Sequence, residues 1–183
     1  MRAIDVRDLL ETPGSSRTVH VEEPVPGLRT ELADVPEDTP IAADLTLESV
    51  VEGIFVRGSL EGRFAMRCAR CLKTFERDFD VEMTELVPRE PGPDDDYALE
   101  PDLTLDPEPI VRDAVVLEMP FSPLCRPDCL GLCEICGGDR NLGECPGHEV
   151  TNPRWDALYV LLQHLEAQPD QEPSDDDDRT TTS

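Results

Sequence analysis

Eight soft metal ligands fall along the chain as four short pairs: Cys68/Cys71 in CARC, Cys125/Cys129 in CRPDC, Cys133/Cys136 in CEIC and Cys145/His148 in CPGH. Two ligands at such a spacing reach one ion from a single tight turn, and zinc takes four thiolate or imidazole donors at roughly 2.3 Å. Four pairs make two complete tetrahedral sites with nothing left over. A disulfide framework would strand one of the seven cysteines, and counting His148 removes that oddness. One CxxC is a weak signal, whereas four pairs in one short chain are a strong one.

The pairs can be shared in two ways. Cys133/Cys136 with Cys145/His148 closes a compact local site, which leaves Cys68/Cys71 to join Cys125/Cys129. Alternatively the two CxxC pairs, Cys68/Cys71 and Cys133/Cys136, combine as in a zinc ribbon, because loop closure costs grow only logarithmically with length. In CEICGG, Gly137 and Gly138 permit the positive φ that a zinc knuckle demands, while CARCL has the spacing without the glycine. CxxC also serves thiol-redox enzymes, but there it opens a helix, and Cys68/Cys71 lies between two strand-like stretches. A catalytic zinc keeps one position open for water; sites closed by four protein ligands read as structural. His20, in a strand, and His164, on the outer side of the last helix, stand apart from these pairs.

Composition explains why such staples help. The chain has 183 residues, 38% of them hydrophobic and 4% aromatic, so the core is small. The opening MRAIDVRDLLETPG has no apolar stretch and no window approaches a membrane span, which predicts a cytoplasmic protein whose thiols stay reduced. No membrane partner and no small-molecule substrate are expected, since no phosphate-cradling or dinucleotide fingerprint is present. The formal charge of -25 repels a phosphate backbone at long range. Such acidity serves solubility, or it suits a basic partner such as a ribosomal protein.

Patterning predicts an α+β domain over residues 1–166. Residues 1–87 read as mainly β: SRTVHVEEPV is extended, and IAADLTLESVVEGIFVRGSLEGRFAMR alternates apolar and polar positions. Gly53, Gly58 and Gly62 read as bends or bulges. Phe75, Phe79, Val81 and Met83 continue the alternation, so the expectation is an antiparallel sheet, or a partial barrel. Residues 88–105 form an acidic, proline-containing stretch read as a flexible loop. Residues 106–166 hold two helices flanking the cysteine-rich segment. The first starts at Asp106-Pro107 and the second at Asn152-Pro153, with Trp155 expected to anchor the latter to the sheet. Residues 167–183 read as a disordered acidic tail.

One stretch runs against the overall charge. Arg57, Arg63, Arg67, Arg70, Lys73 and Arg77 fall within 21 residues against only Glu61 and Glu76. Strand alternation puts Arg57, Arg63 and Arg67 on one face, with Arg70 projecting from the first cysteine turn. Such a patch can hold RNA phosphates locally, because charges beyond about 10 Å are screened. The same charges can instead pair with acids of neighbouring strands.

IDVRDLLETPGSSR at the start, CARCLKTFE in the middle, and PLCRPDCLGLCEICGGDRN followed by NPRWDALYVL near the end resemble the YceD family, the large ribosomal RNA subunit accumulation proteins. The resemblance covers most of the chain outside the acidic loop and tail. It implies a bacterial protein supporting the accumulation of large-subunit ribosomal RNA, with Cys68, Cys71, Cys125, Cys129, Cys133 and Cys136 as carriers of the family motif. After the knuckle the chain has GGDRNLGECPGH, where the commoner pattern has CG-x-NLN and a closely spaced Cys-x-Cys. The resulting expectation is a non-catalytic protein holding two structural zinc ions and acting in ribosome biogenesis. It would bind precursor large-subunit RNA, a basic large-subunit ribosomal protein, or both. The competing reading is a thiol-redox or zinc-dependent RNA-processing enzyme, and a third is a regulator using zinc for interaction.

Overall fold

The alternation of the first half resolves into strands. The computed structural model describes residues 1–148 and 155–166. In chain order the elements are β1 (Ile4–Asp5), α1 (Arg7–Glu11), β2 (Ser16–Glu23), β3 (Ala33–Asp34), β4 (Ile41–Ser49), β5 (Gly53–Arg67), β6 (Thr74–Pro88), β7 (Thr104–Leu105), α2 (Glu108–Glu118) and α3 (Asp156–Glu166). The chain divides into two units, residues 1–144 and 145–183. The first unit carries every element except α3. Antiparallel sheets with few helices match the expected mixed class.

The main sheet is five-stranded, in the order β2-β4-β5-β3, with β6 paired to β5. No ladder closes it into a barrel among the described residues. Its inner face follows the period of two: Ile41, Ala43, Leu45 and Leu47 of β4, then Ile54, Val56, Leu60, Phe64 and Met66 of β5, are all buried. Helix α2 lays Ile110, Val111 and Val115 into the same core. Its N-cap is Pro107, one residue later than expected, and the Asp106 carboxylate accepts the Glu108 backbone N–H at 2.9 Å.

The glycines of β5 make no bulge against β6. Pairing with β6 runs one to one from Gly53↔Pro88 to Arg67↔Thr74 without a slipped residue, so there is no bulge. All three instead admit close neighbours: a Cβ on Gly53 would lie 2.1 Å from the Val87 carbonyl oxygen. A Cβ on Gly62 would lie 2.5 Å from the ring of Phe79, which stacks on Phe64 at 4.3 Å between centroids. A Cβ on Gly58 would lie 2.2 Å from the carbonyl oxygen of Asp44 on β4.

The acidic stretch after β6 carries no regular element until β7, yet it contributes to the core. Tyr97, Leu99 and Leu103 pack against it, and Leu105 of β7 is buried and pairs with Ile4 of β1. The Tyr97 hydroxyl donates to Asp113 of α2 at 2.8 Å. The second helix falls within the expected span, and Trp155 before it is 56% exposed. The start signal at Asn152-Pro153 and the acidic tail at 167–183 lie outside the described residues.

Candidate metal centre

The two longest strands form a hairpin whose tip is the first cysteine pair. Between Arg67 and Thr74 the six residues Cys68–Lys73 turn the chain, with the Cys68 N–H bonded to the Lys73 carbonyl at 2.9 Å and the Leu72 N–H to the Cys68 carbonyl at 2.9 Å. CEICGG repeats this pattern: Cys133 N–H to Gly138 carbonyl at 2.9 Å, and Gly137 N–H to Cys133 carbonyl at 2.8 Å. The residue after the second cysteine has positive φ in both, 71° at Gly137 and 60° at Leu72. The leucine thus takes a glycine's conformation, at a cost of about 1–2 kcal/mol. The two turns are the same knuckle despite the missing glycine.

The tip meets the segment after α2. Ala69 N–H donates to the Pro123 carbonyl at 2.8 Å, which brings CRPDC alongside CARC. The sulfurs of Cys68, Cys71, Cys125 and Cys129 all lie within 4.8 Å of one another. Cys68 and Cys129 are 3.8 Å apart, and Cys71 and Cys125 are 3.7 Å apart. A tetrahedron of thiolates around zinc has edges of about 3.8 Å, from the metal–sulfur distance of about 2.3 Å. A disulfide needs about 2.05 Å, and none joins any of the seven cysteines. These four residues therefore could hold a metal ion.

Electrostatics at the set is uneven. Burial raises the Cys68 thiol, but backbone N–H groups of Cys125, Cys71 and Arg70 overcome it and bring its pKa down to about 6. Cys125 is pushed up to about 12, by burial first and then by the sulfurs of Cys71, Cys68 and Cys129. The Lys73 N–H favours the Cys71 thiolate, yet burial and the neighbouring sulfurs leave that thiol raised. Packed sulfurs resist sharing negative charge, and a dication removes that conflict.

Of the other expected ligands, Cys133 and Cys136 lie in the first unit, and Cys145 and His148 in the second. Cys68/Cys71 thus lie with Cys125/Cys129, as in the first of the two ways open to the sequence.

The family model described as Large ribosomal RNA subunit accumulation protein YceD matches residues 56–162. The chain belongs to this family. Uncharacterized proteins of Mycobacterium bovis and Mycobacterium tuberculosis are each 36% identical to it over 168 residues, 87% of this chain and 80% of the relative. An uncharacterized protein of Mycobacterium leprae is 30% identical over 167 residues, 86% of this chain and 76% of the relative. No solved structure matches the chain. The YceD match spans all eight paired ligands and the whole basic stretch. No described helix is long and apolar enough to cross a membrane.

In this YceD chain Arg57, Arg63 and Arg67 do share the exposed face of β5, alternating with buried Val56, Phe64 and Met66. Four of the six basic residues already have partners. Arg63 bridges Asp78 at 2.7 Å and Glu76 at 3.5 Å, and Lys73 bridges Asp139 at 2.7 Å. Arg70 donates to the Cys129 carbonyl at 2.8 Å, and Arg77 to the Leu124 carbonyl at 3.4 Å. Arg57 and Arg67 make no ion pair among the described residues. His20, set apart from the ligands, pairs with Asp44 at 2.9 Å.

The sequence reading missed the acidity of that same face. Directly opposed residues of an antiparallel pair point to one side. Glu61 opposes Asp80, Ser59 opposes Glu82 and Asp44, and Arg63 opposes Asp78, while Glu22 continues the row through Ala42. The signal was available in the hairpin register, once Arg67 is paired with Thr74.

Proposed function

We propose that the chain is a non-catalytic, zinc-stapled binding protein of large-subunit ribosome biogenesis, and that its outer sheet face engages a basic large-subunit ribosomal protein. The ribosomal setting follows the description of the YceD family. Zinc at Cys68, Cys71, Cys125 and Cys129, and at Cys133, Cys136, Cys145 and His148, would supply cross-linking and charge neutralisation rather than reaction chemistry. Closed four-ligand sets leave no position for a reacting water.

The observation that carries the partner is Glu61 opposite Asp80 in the middle of the exposed sheet face, with Glu82, Asp78, Asp44 and Glu22 around them. Like charges set directly across a ladder destabilise it by roughly 0.2–1 kcal/mol. A cationic protein surface relieves that repulsion on binding, and long-range attraction speeds its arrival. A second reading, contact with precursor large-subunit RNA, is favoured by Arg57 and Arg67, the two members of the basic stretch without an ion partner among the described residues.

Retention of the tagged full chain from bacterial lysate, with and without nuclease and at low and high salt, tests both. The protein reading expects a basic large-subunit protein held at low salt, unaffected by nuclease and released by salt. Retention of RNA alone, reduced by Arg57→Ala with Arg67→Ala, would replace it with the second reading. Retention of neither sinks both.

A further inference from the structure

We propose that Asn141 is a positioning residue of the four-cysteine metal site, giving the Cys129 sulfur a side-chain N–H hydrogen bond from an amide that Asp139 and Lys73 hold in place. The inference rests on the reading of that set as a metal site.

A primary amide can accept two hydrogen bonds at oxygen and donate two from nitrogen. Asn141 does all four. Its Oδ1 accepts from the Arg126 guanidinium at 2.7 Å and from the Leu130 backbone N–H at 2.8 Å. Its Nδ2 donates to Asp139 Oδ1 at 2.7 Å and to Cys129 Sγ at 3.6 Å. These partners fix which way the amide faces, because exchanging O and N would aim an acceptor at a carboxylate and a sulfur.

Three of the four bonds frame the ligand loop itself. Arg126 follows Cys125, Leu130 follows Cys129, and the last contact is to a ligand sulfur. The fourth reaches Asp139, a buried carboxylate whose other oxygen takes Lys73 at 2.7 Å. Lys73 lies two residues beyond Cys71. A chain of polar contacts therefore runs from the turn of the first ligand pair, through Asp139 and Asn141, to the loop of the second pair. Both halves of the set are held in register by bonds that do not involve the metal.

An N–H donor to a thiolate withdraws electron density from sulfur and fixes its direction. Outer contacts of this kind are worth roughly 10–100-fold in metal affinity. No other residue of the Gly137–Glu144 turn contacts a sulfur of the four-cysteine set through its side chain among the hydrogen bonds of the described residues.

The test uses the full chain loaded with cobalt(II), whose thiolate charge-transfer band reports on the sulfurs. Asn141→Asp keeps the acceptor oxygens for Arg126 and Leu130 but removes the N–H donors; Asn141→Ala removes both. Both variants are expected to bind one equivalent of metal about 10–100-fold more weakly in chelator competition. Their charge-transfer band should move to lower energy, because the sulfur is more electron-rich without the donor. An unchanged band overturns the inference even where affinity falls, since a merely structural loss weakens binding without altering the bound sulfur. Unchanged affinity in both variants overturns it as well. Failure of the wild-type chain to bind cobalt or zinc overturns the metal reading, and this inference with it.

Discussion

Lys73 and Asp139 meet across 2.7 Å and join the tip of the β5–β6 hairpin to the turn that follows Cys136. The lysine side chain is 55% exposed and the aspartate side chain 6%, so the two members are not equivalent. Removing Lys73 leaves a carboxylate in a dry place, whereas the lysine can return to water if Asp139 is lost.

A pH dependence follows from this pair. Lys73 first, then the side chain and backbone N–H of Asn141, hold the Asp139 carboxyl at about 2, below its ordinary 3.8. A folded-state value below the unfolded one means that the folded chain binds fewer protons. The stabilisation is therefore complete above about pH 4 and fades as pH falls through about 2. Denaturant midpoints of the metal-free chain across that window should drop in the wild type and stay flatter in Asp139→Asn. Parallel curves for the two proteins would refute the assignment.

Metal uptake should release protons from the four-cysteine set. Within this interacting set the Cys68 thiol is lowered and the Cys125 thiol raised, so the set is only partly deprotonated at neutral pH. The Cys71 thiol is raised as well. Coordination requires all of them deprotonated, so affinity rises with pH and each ion bound acidifies a weakly buffered solution. Indicator-dye titration with zinc should register this release, and Cys125→Ser should reduce it. Zinc uptake without acidification would contradict the thiol set as ligands.

The outer sheet face makes a paired prediction about stability and binding. Replacing Glu61 with Gln and Asp80 with Asn removes a directly opposed like-charge pair. The double variant should be more stable by roughly 0.2–1 kcal/mol, and should retain less of any basic partner at low salt. Thermal unfolding and the retention assay read the two effects separately. A variant that is stabilised and still retains partner fully would remove this face from the interface.

What the chain announced in advance was set by chemistry at short range. Ligand pairs are legible because one ion must be reached from one turn, and the strands are legible because only one face of the sheet is buried. Gly58 and Gly62 read as bends because a period-two pattern cannot reveal which neighbour fills the missing Cβ; here Asp44 and Phe79 do so. Leu72 hid a knuckle because the left-handed position is usually marked by glycine. Asp139 and Asn141 carried no local signal at all. Their roles exist only once folding brings residue 139 to Lys73 and residue 141 to Cys129. The elements α1, β1 and β7 are too short for a periodicity to show.

Removal of metal should loosen one end of the molecule rather than unfold it. Buried Cys68, Cys71 and Cys129 form a small cluster of their own, packed by Phe75 and Leu124, distinct from the main core under α2. Without an ion that cluster must keep several sulfurs together unaided, while the main core retains Leu45, Leu47, Val56 and Leu60 in full burial. Opening free energies differ across a structure in the way its contacts differ. Hydrogen exchange on the chelated chain should therefore show lost protection at Cys68, Leu72 and Leu132, whose N–H groups bond within and between the turns. Protection through the paired centres of β4 and β5 should persist. Metal analysis before chelation should find two ions per chain, falling to one in His148→Ala. Uniform loss of protection on chelation would mean that the ion supports the whole sheet and not its tip.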